Sequence, residues 1–140
     1  LMHEAAAGPL LRYRKAIGAE DVAIFADIKK KHASHAITAD LSIEDAASNA
    51  AFFGADALIV TGVATAHPTD ADDCKLARNA SRLPVIVGSG AEPVTLADLA
   101  HAADAVIVGS WIKRDAHWAR PVDPDRARTF AEAWRAARDA

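Results

Sequence analysis

Residues 84–93 read PVIVGSGAEP, three branched apolar residues after a proline and then Gly-Ser-Gly, where the apolar run stops. The run is continuously apolar rather than alternating, which is the pattern of a strand in a parallel sheet covered by helices. Three other runs share it: DVAIFAD at 21–27, DALIVTG at 56–62 and DAVIVGS at 104–110. The segments between them have helical spacing. SIEDAASNAAFFGA at 42–55 opens on Ser42 with Asp45 three residues on, a capping-box start in which Asp replaces the usual Glu or Gln. DADDCKLARNAS at 70–81 has an acidic first turn, with Asp70 placed to cap it. TLADLAHAA at 95–103 predicts a short helix opened by Thr95, and 123–140 predicts a closing helix with Asp123 as N-cap and Pro124 at its first position. With the helical stretch at 3–19, the order is one helix and then four strand–helix units, a parallel α/β architecture.

The Gly-Ser-Gly turn decides between two parallel folds. A doubly wound sheet carries its glycine-rich phosphate turn after the first strand, usually as G-x-G-x-x-G. Here the first strand runs into ADIKKKH without a glycine, and GSGAEP puts Pro93 where the third glycine belongs. A (β/α)8 barrel instead gathers phosphate-binding backbone after its last two strands. The third and fourth strands here end in GSG and GS, and the latter leads into WIKRD, long enough for one helical turn at 111–113. The expected fold is therefore of the (β/α)8 barrel type, with residues 1–140 a single partial domain of four units equivalent to strands 5 to 8. A whole barrel takes about 250 residues, and an open half-barrel exposes sheet edges and an apolar inner face. Either an amino-terminal half is missing or two copies complete each other.

Composition narrows the partners. The chain has 140 residues, 51% hydrophobic and 25% charged, with a formal net charge of -3, so no broad basic surface invites nucleic acid. The longest apolar runs fall short of the ~20 residues a membrane-spanning helix needs. A single cysteine, Cys74, cannot form an internal disulfide, and the expected location is cytoplasmic. Cys74 itself reads as an inert helix residue away from the strand ends. Trp118, Trp134, Phe130 and Phe52 read as packing of helices on the sheet.

Four motifs carry candidate chemistry. After the first strand, alternation puts Asp27, Lys29 and Lys31 on one face with His32 just beyond, a carboxylate, an ammonium and an imidazole able to act as base, anchor or acid. Asp27 alternatively serves a structural ion pair, and Lys29 and Lys30 are solvated loop charges. His32 and His35 have a ligand-like spacing, but no Cys or Glu joins them and no metal is expected. After the second strand, Thr61, Gly62 and Thr65 read equally well as a ligand loop or as a plain turn. The backbone N–H groups of Gly88, Ser89 and Gly90, together with those of Gly109 and Ser110, suit a phosphate cradle. The two serines have no Ser-His-acid arrangement around them.

The segments FADIKKKHA, DALIVTGVAT, PVIVGSGAEP, DAVIVGSWIK and PVDPDRAR, in this order, resemble the BtpA/SgcQ family, a group placed with the ribulose-phosphate-binding barrels. The likeness runs from about Leu10 to the last helix and matches the carboxyl-terminal half of a family member. The resemblance implies a barrel protein that binds a phosphorylated small molecule and no cofactor. It implies catalytic roles for Asp27, Lys31 and His32, substrate contacts from Thr61, Gly62, Thr65 and Lys113, and phosphate contacts from Gly88, Ser89, Gly90, Gly109 and Ser110. Enzyme of sugar-phosphate metabolism and non-enzymatic photosystem I assembly factor both stand as implied roles. This sequence departs from the family pattern at Lys29, Lys30 and Ala66.

Overall fold

The computed structural model describes residues 6–28, 40–61 and 70–140. Helix α1 spans Ala7–Ala16, followed by strand β1 at Phe25–Ile28, α2 at Ile43–Phe52, β2 at Ala57–Val60 and α3 at Ala71–Ser81. Then come β3 at Val85–Val87, a 3-10 turn at Pro93–Thr95 running into α4 at Leu96–Ala102, β4 at Ala105–Val106, and α5 at Pro124–Asp139. The strands β2, β3 and β4 are shorter than the apolar runs that contain them, and β1 covers the end of its run and Ile28 after it.

The sheet order is β1-β2-β3-β4, and every neighbouring pair is parallel. The register sets Asp27 beside Ile59, Ile59 beside Ile86, and Ile86 beside Ala105. Residues paired in parallel share a face, so the alternate set Ile28, Leu58, Val60, Val85 and Val87 forms the opposite layer. That layer meets Ile43 and Ala47 of α2, Cys74 and Ala77 of α3, Leu96 and Leu99 of α4 and Phe130 of α5 in one core. Right-handed crossovers between neighbouring strands, taken in sequential order, put these helices on the same side. The other face, bearing Phe25, Asp27, Ile59, Ile86 and Ile107, lies outside that core, and Phe25 and Ile107 are about half exposed.

Local signals place most helix starts. The Ser42 hydroxyl accepts the Asp45 N–H, and the Asp45 carboxylate accepts the Ser42 N–H, a complete capping box. Asp70 caps α3 through the Asp72 N–H, and Asp123 caps α5 through the N–H groups of Asp125 and Arg126, with Pro124 at the first position. Three expectations are corrected. Thr95 does not cap α4: its hydroxyl donates to the Glu92 carbonyl and closes the 3-10 turn instead. No helical turn forms at 111–113, and Arg114–Ala116 make a tight turn in which Asp115 and Ala116 take left-handed φ values of 58° and 51°. Phe52 and Trp118 are not helix-to-sheet packing but are 84% and 72% exposed, since Phe52 ends α2 facing solvent and Trp118 falls in a turn. Among the described residues no helix is long and apolar enough to cross a membrane.

Candidate functional site

All four strands run the same way, so their carboxyl ends, with the turns that follow β3 and β4, lie along one edge of the sheet. At that edge β3 and β4 release the chain into two small-residue turns, and a cavity of about 460 Å³ opens between them. One wall is Gly88, Ser89, Gly90, Ala91 and Glu92; the other is Ile107 to Trp111, and Ala116 closes the lip.

The glycines have separate reasons to be there. Gly88 continues the ladder, its N–H donating to the Val60 carbonyl at 2.8 Å. A Cβ on it would stand 2.5 Å from both Ile59 Cγ2 and Thr61 Cγ2, so the β2 side chains leave no room for one. Gly90 has φ +74°, a left-handed conformation that glycine adopts at least cost. A Cβ on Gly109 would meet nothing within 4 Å; its side of the backbone is open. Among the described residues the N–H groups of Gly90, Gly109, Ser110 and Trp111 donate to no carbonyl or side chain, which leaves a row of donors at a cleft wall.

Beyond the cleft, Asp27 lies one residue before the end of β1 on the face turned from the helix-covered core, and the Thr61 hydroxyl donates to its Oδ1 at 3.5 Å. Thr61 and Asp27 are thereby brought together, with Thr61 also packed under the Gly88 position. Lys113 is directed away from the cleft: its ammonium donates to the Trp118 carbonyl, and its backbone forms an antiparallel bridge with Val122. Lys31, His32, Gly62 and Thr65, like Lys29, Lys30, His35 and Ala66, lie outside the described residues. No Lys or Arg lines the cleft among the described residues, so any anion there is met by backbone dipoles.

One contributor escaped the sequence reading. Behind Trp111, which forms part of the cleft wall, stands Arg126, whose Nε donates to the Trp111 carbonyl at 2.6 Å. No local signal marks that pair, because α5 returns to the turn only through tertiary packing. Cys74 is fully buried on the core side of α3, where burial first, then the Asp73 and Asp70 charges, push its thiol up to about 11. It is a packed core residue remote from the cleft lining.

These features define an α/β protein of consecutive β/α repeats, with glycine turns gathered at the carboxyl edge of its sheet. The chain belongs to the BtpA family, whose model matches residues 2–136. It is 39% identical over 133 residues to the photosystem I biogenesis protein BtpA of Synechocystis sp., covering 93% of this chain and 45% of that protein. It is 42% identical over 130 residues to an uncharacterized protein of Thermococcus kodakarensis, covering 92% of this chain and 48% of that one. An uncharacterized mitochondrial protein of Caenorhabditis elegans is 40% identical over 124 residues, covering 89% of this chain and 44% of its own length. The chain thus spans under half the length of these relatives. No solved structure matches it significantly.

Proposed function

We propose that this chain forms part of the wall of a (β/α)8 barrel and that the cleft between the Gly88–Gly90 and Gly109–Ser110 turns binds the phosphate of a small phosphorylated molecule. The observation that carries the reading is the row of undonated N–H groups at Gly90, Gly109, Ser110 and Trp111 on a cleft wall. Successive main-chain N–H groups make an anion-binding concavity without needing a cation. Bare glycine backbone lets a tetrahedral anion approach to hydrogen-bond distance. Glu92 in the same wall accepts hydrogen bonds, which suits a ligand that carries hydroxyls beside its phosphate, as in a sugar phosphate, while its charge opposes the anion and is outweighed by the row of donors.

The sequential strand order and the helix layer on one side support the barrel reading, since a barrel keeps its helices outside and its other face inside. The remaining strands come from the rest of a family-length chain or from a second copy. Asp27 then stands at the reacting end, with Lys31 and His32 as its partners in proton transfer and Thr61, Gly62 and Thr65 in substrate contact, while Lys113, bound to the Trp118 carbonyl, is left out of that set. A cytoplasmic location accords with the single buried cysteine. A second reading, a non-enzymatic assembly factor that keeps the cleft without turnover, is favoured by the similarity to the photosystem I biogenesis protein of Synechocystis.

Thermal unfolding tests the binding reading. A ligand that binds only the folded state stabilises it by about 2.7 kcal/mol when present at 100 times its Kd. Millimolar phosphate and ribose 5-phosphate are expected to raise the melting temperature in a saturable way while equimolar chloride does not. No shift with either phosphate overturns the reading.

A further inference from the structure

The cleft wall at Trp111 is held from behind by the first turn of α5. Arg126 Nε donates to the Trp111 carbonyl at 2.6 Å, and its guanidinium carbon lies 4.4 Å from the centroid of the indole. One helical turn further on, Phe130 meets the same indole with centroids 5.8 Å apart at 49°. Arg126 and Phe130 are spaced i, i+4, so they share one face of α5 and hold the ring between them. Arg126 has no carboxylate partner among the described residues; its charge is directed at Trp111.

Arg126 is itself held in place. Its N–H donates to Asp123 Oδ1 at 3.2 Å, and the Asp123 N–H donates to the Ile112 carbonyl at 2.9 Å. The links Ile112 to Asp123, Asp123 to Arg126 and Arg126 to Trp111 close a ring through the residue after the cleft turn. A pinned Trp111 carbonyl fixes the plane of the Trp111–Ile112 peptide and so the Trp111 Cα, the end of the segment that carries the undonated N–H groups of Gly109, Ser110 and Trp111. A guanidinium makes the in-plane bond and the contact over the ring together; an ammonium has no fork with which to do both.

We propose that Arg126 is a positioning residue for the anion cleft, holding Trp111 so that the Gly109–Trp111 backbone keeps its donors arrayed on the wall. The inference rests on the reading of the cleft as a phosphate site. It is tested in the full chain carrying Trp118→Phe and Trp134→Phe, which leaves Trp111 as the single indole of the three. Arg126→Gln is expected to weaken inorganic phosphate binding by about tenfold, measured by calorimetry, from the loss of a charge-assisted bond and a ring contact. It is also expected to raise acrylamide quenching of Trp111, with the melting temperature of the phosphate-free protein within about 3 °C of its parent. Arg126→Lys is expected to restore neither affinity nor protection.

Unchanged phosphate affinity in Arg126→Gln overturns the inference. So does a loss of affinity that follows a fall in melting temperature and is rescued by Arg126→Lys, since that pattern marks a purely structural contact. A parent protein that binds no phosphate overturns the reading of the cleft, and this inference with it, and is distinguished from the other failures by needing no variant.

Discussion

Asp104 pairs twice with Val85: its N–H donates to the Val85 carbonyl at 2.7 Å, and its carboxylate accepts the Val85 N–H at 2.8 Å. The same oxygen receives the Arg78 guanidinium at 2.9 Å. Asp56 repeats the arrangement with Ile24, donating to its carbonyl at 2.8 Å and accepting its N–H at 2.7 Å, with Arg14 at 3.3 Å. In both cases an Asp just before a strand extends the ladder by one rung at the amino edge, opposite the cleft. Arg from an earlier helix then balances the charge.

Asp104→Ala removes the acceptor of an N–H whose residue is fully buried, and such a loss costs about 1–3 kcal/mol. Arg78→Ala costs less, about 0–1 kcal/mol, because the pair with Asp104 is some 40% exposed on the arginine side. Urea unfolding of both single variants and the double variant separates the backbone rung from the ion pair. A larger loss from Arg78→Ala than from Asp104→Ala contradicts the assignment.

The cleft glycines are expected to respond differently. Gly88→Ala forces a Cβ to 2.5 Å from Ile59 and Thr61 and is expected to destabilise by about 1–3 kcal/mol through overpacking. Gly109→Ala meets open space, so stability is expected to stay within about 0.5 kcal/mol. Its methyl group is expected to weaken phosphate binding nonetheless. Melting curves with and without phosphate read both effects in one experiment.

Cys74 makes stability depend on alkaline pH. The folded thiol keeps its proton up to about 11, against an ordinary value of 9.0 that the unfolded chain retains. Between these values the unfolded state binds fewer protons than the folded one, so stability falls as pH rises and levels off above the folded value. Denaturant midpoints taken from pH 8 upward are expected to show this slope, and Cys74→Ala to flatten it. An equal slope in the variant assigns the effect to other groups.

Ser42→Ala removes the oxygen that accepts the Asp45 N–H and is expected to cost about 0.5–2 kcal/mol. Ser42→Asn keeps an acceptor at the same place and should recover most of the loss. Thermal unfolding of the two variants settles whether the cap or the serine itself matters.

Exposed apolar side chains at both sides of the sheet predict association of this 140-residue chain. Phe25 on edge strand β1 is 53% exposed, and Ile107, just after edge strand β4, is 47% exposed. Sedimentation velocity is expected to give a species larger than a monomer at micromolar concentration, and Phe25→Lys to shift it toward the monomer. A monodisperse monomer of the parent chain speaks against a partner at these side chains.

Much of the repeat was legible along the chain because its causes are local. Apolar runs marked the strands, and Ser42 with Asp45, Asp70, and Asp123 with Pro124 marked helix starts, since a cap acts within three residues. The GSG and GS turns were legible as breaks in those runs, and they do line one cleft. Thr95 misled because the same hydroxyl closes a tighter turn when Pro93 precedes it, and Phe52 misled because apolar character does not say which side of a helix end faces water.

What the sequence alone determined was the alternation of strand and helix, the caps and the glycine turns, because each depends on neighbours a few residues away. Only the tertiary structure decided that Asp104 meets Val85, that Thr61 sits under Gly88 and against Asp27, and that Arg126 stands behind Trp111. Those pairs are separated along the chain by whole elements. Parallel register and the docking of α5 bring them together, and neither leaves a mark at the residues themselves.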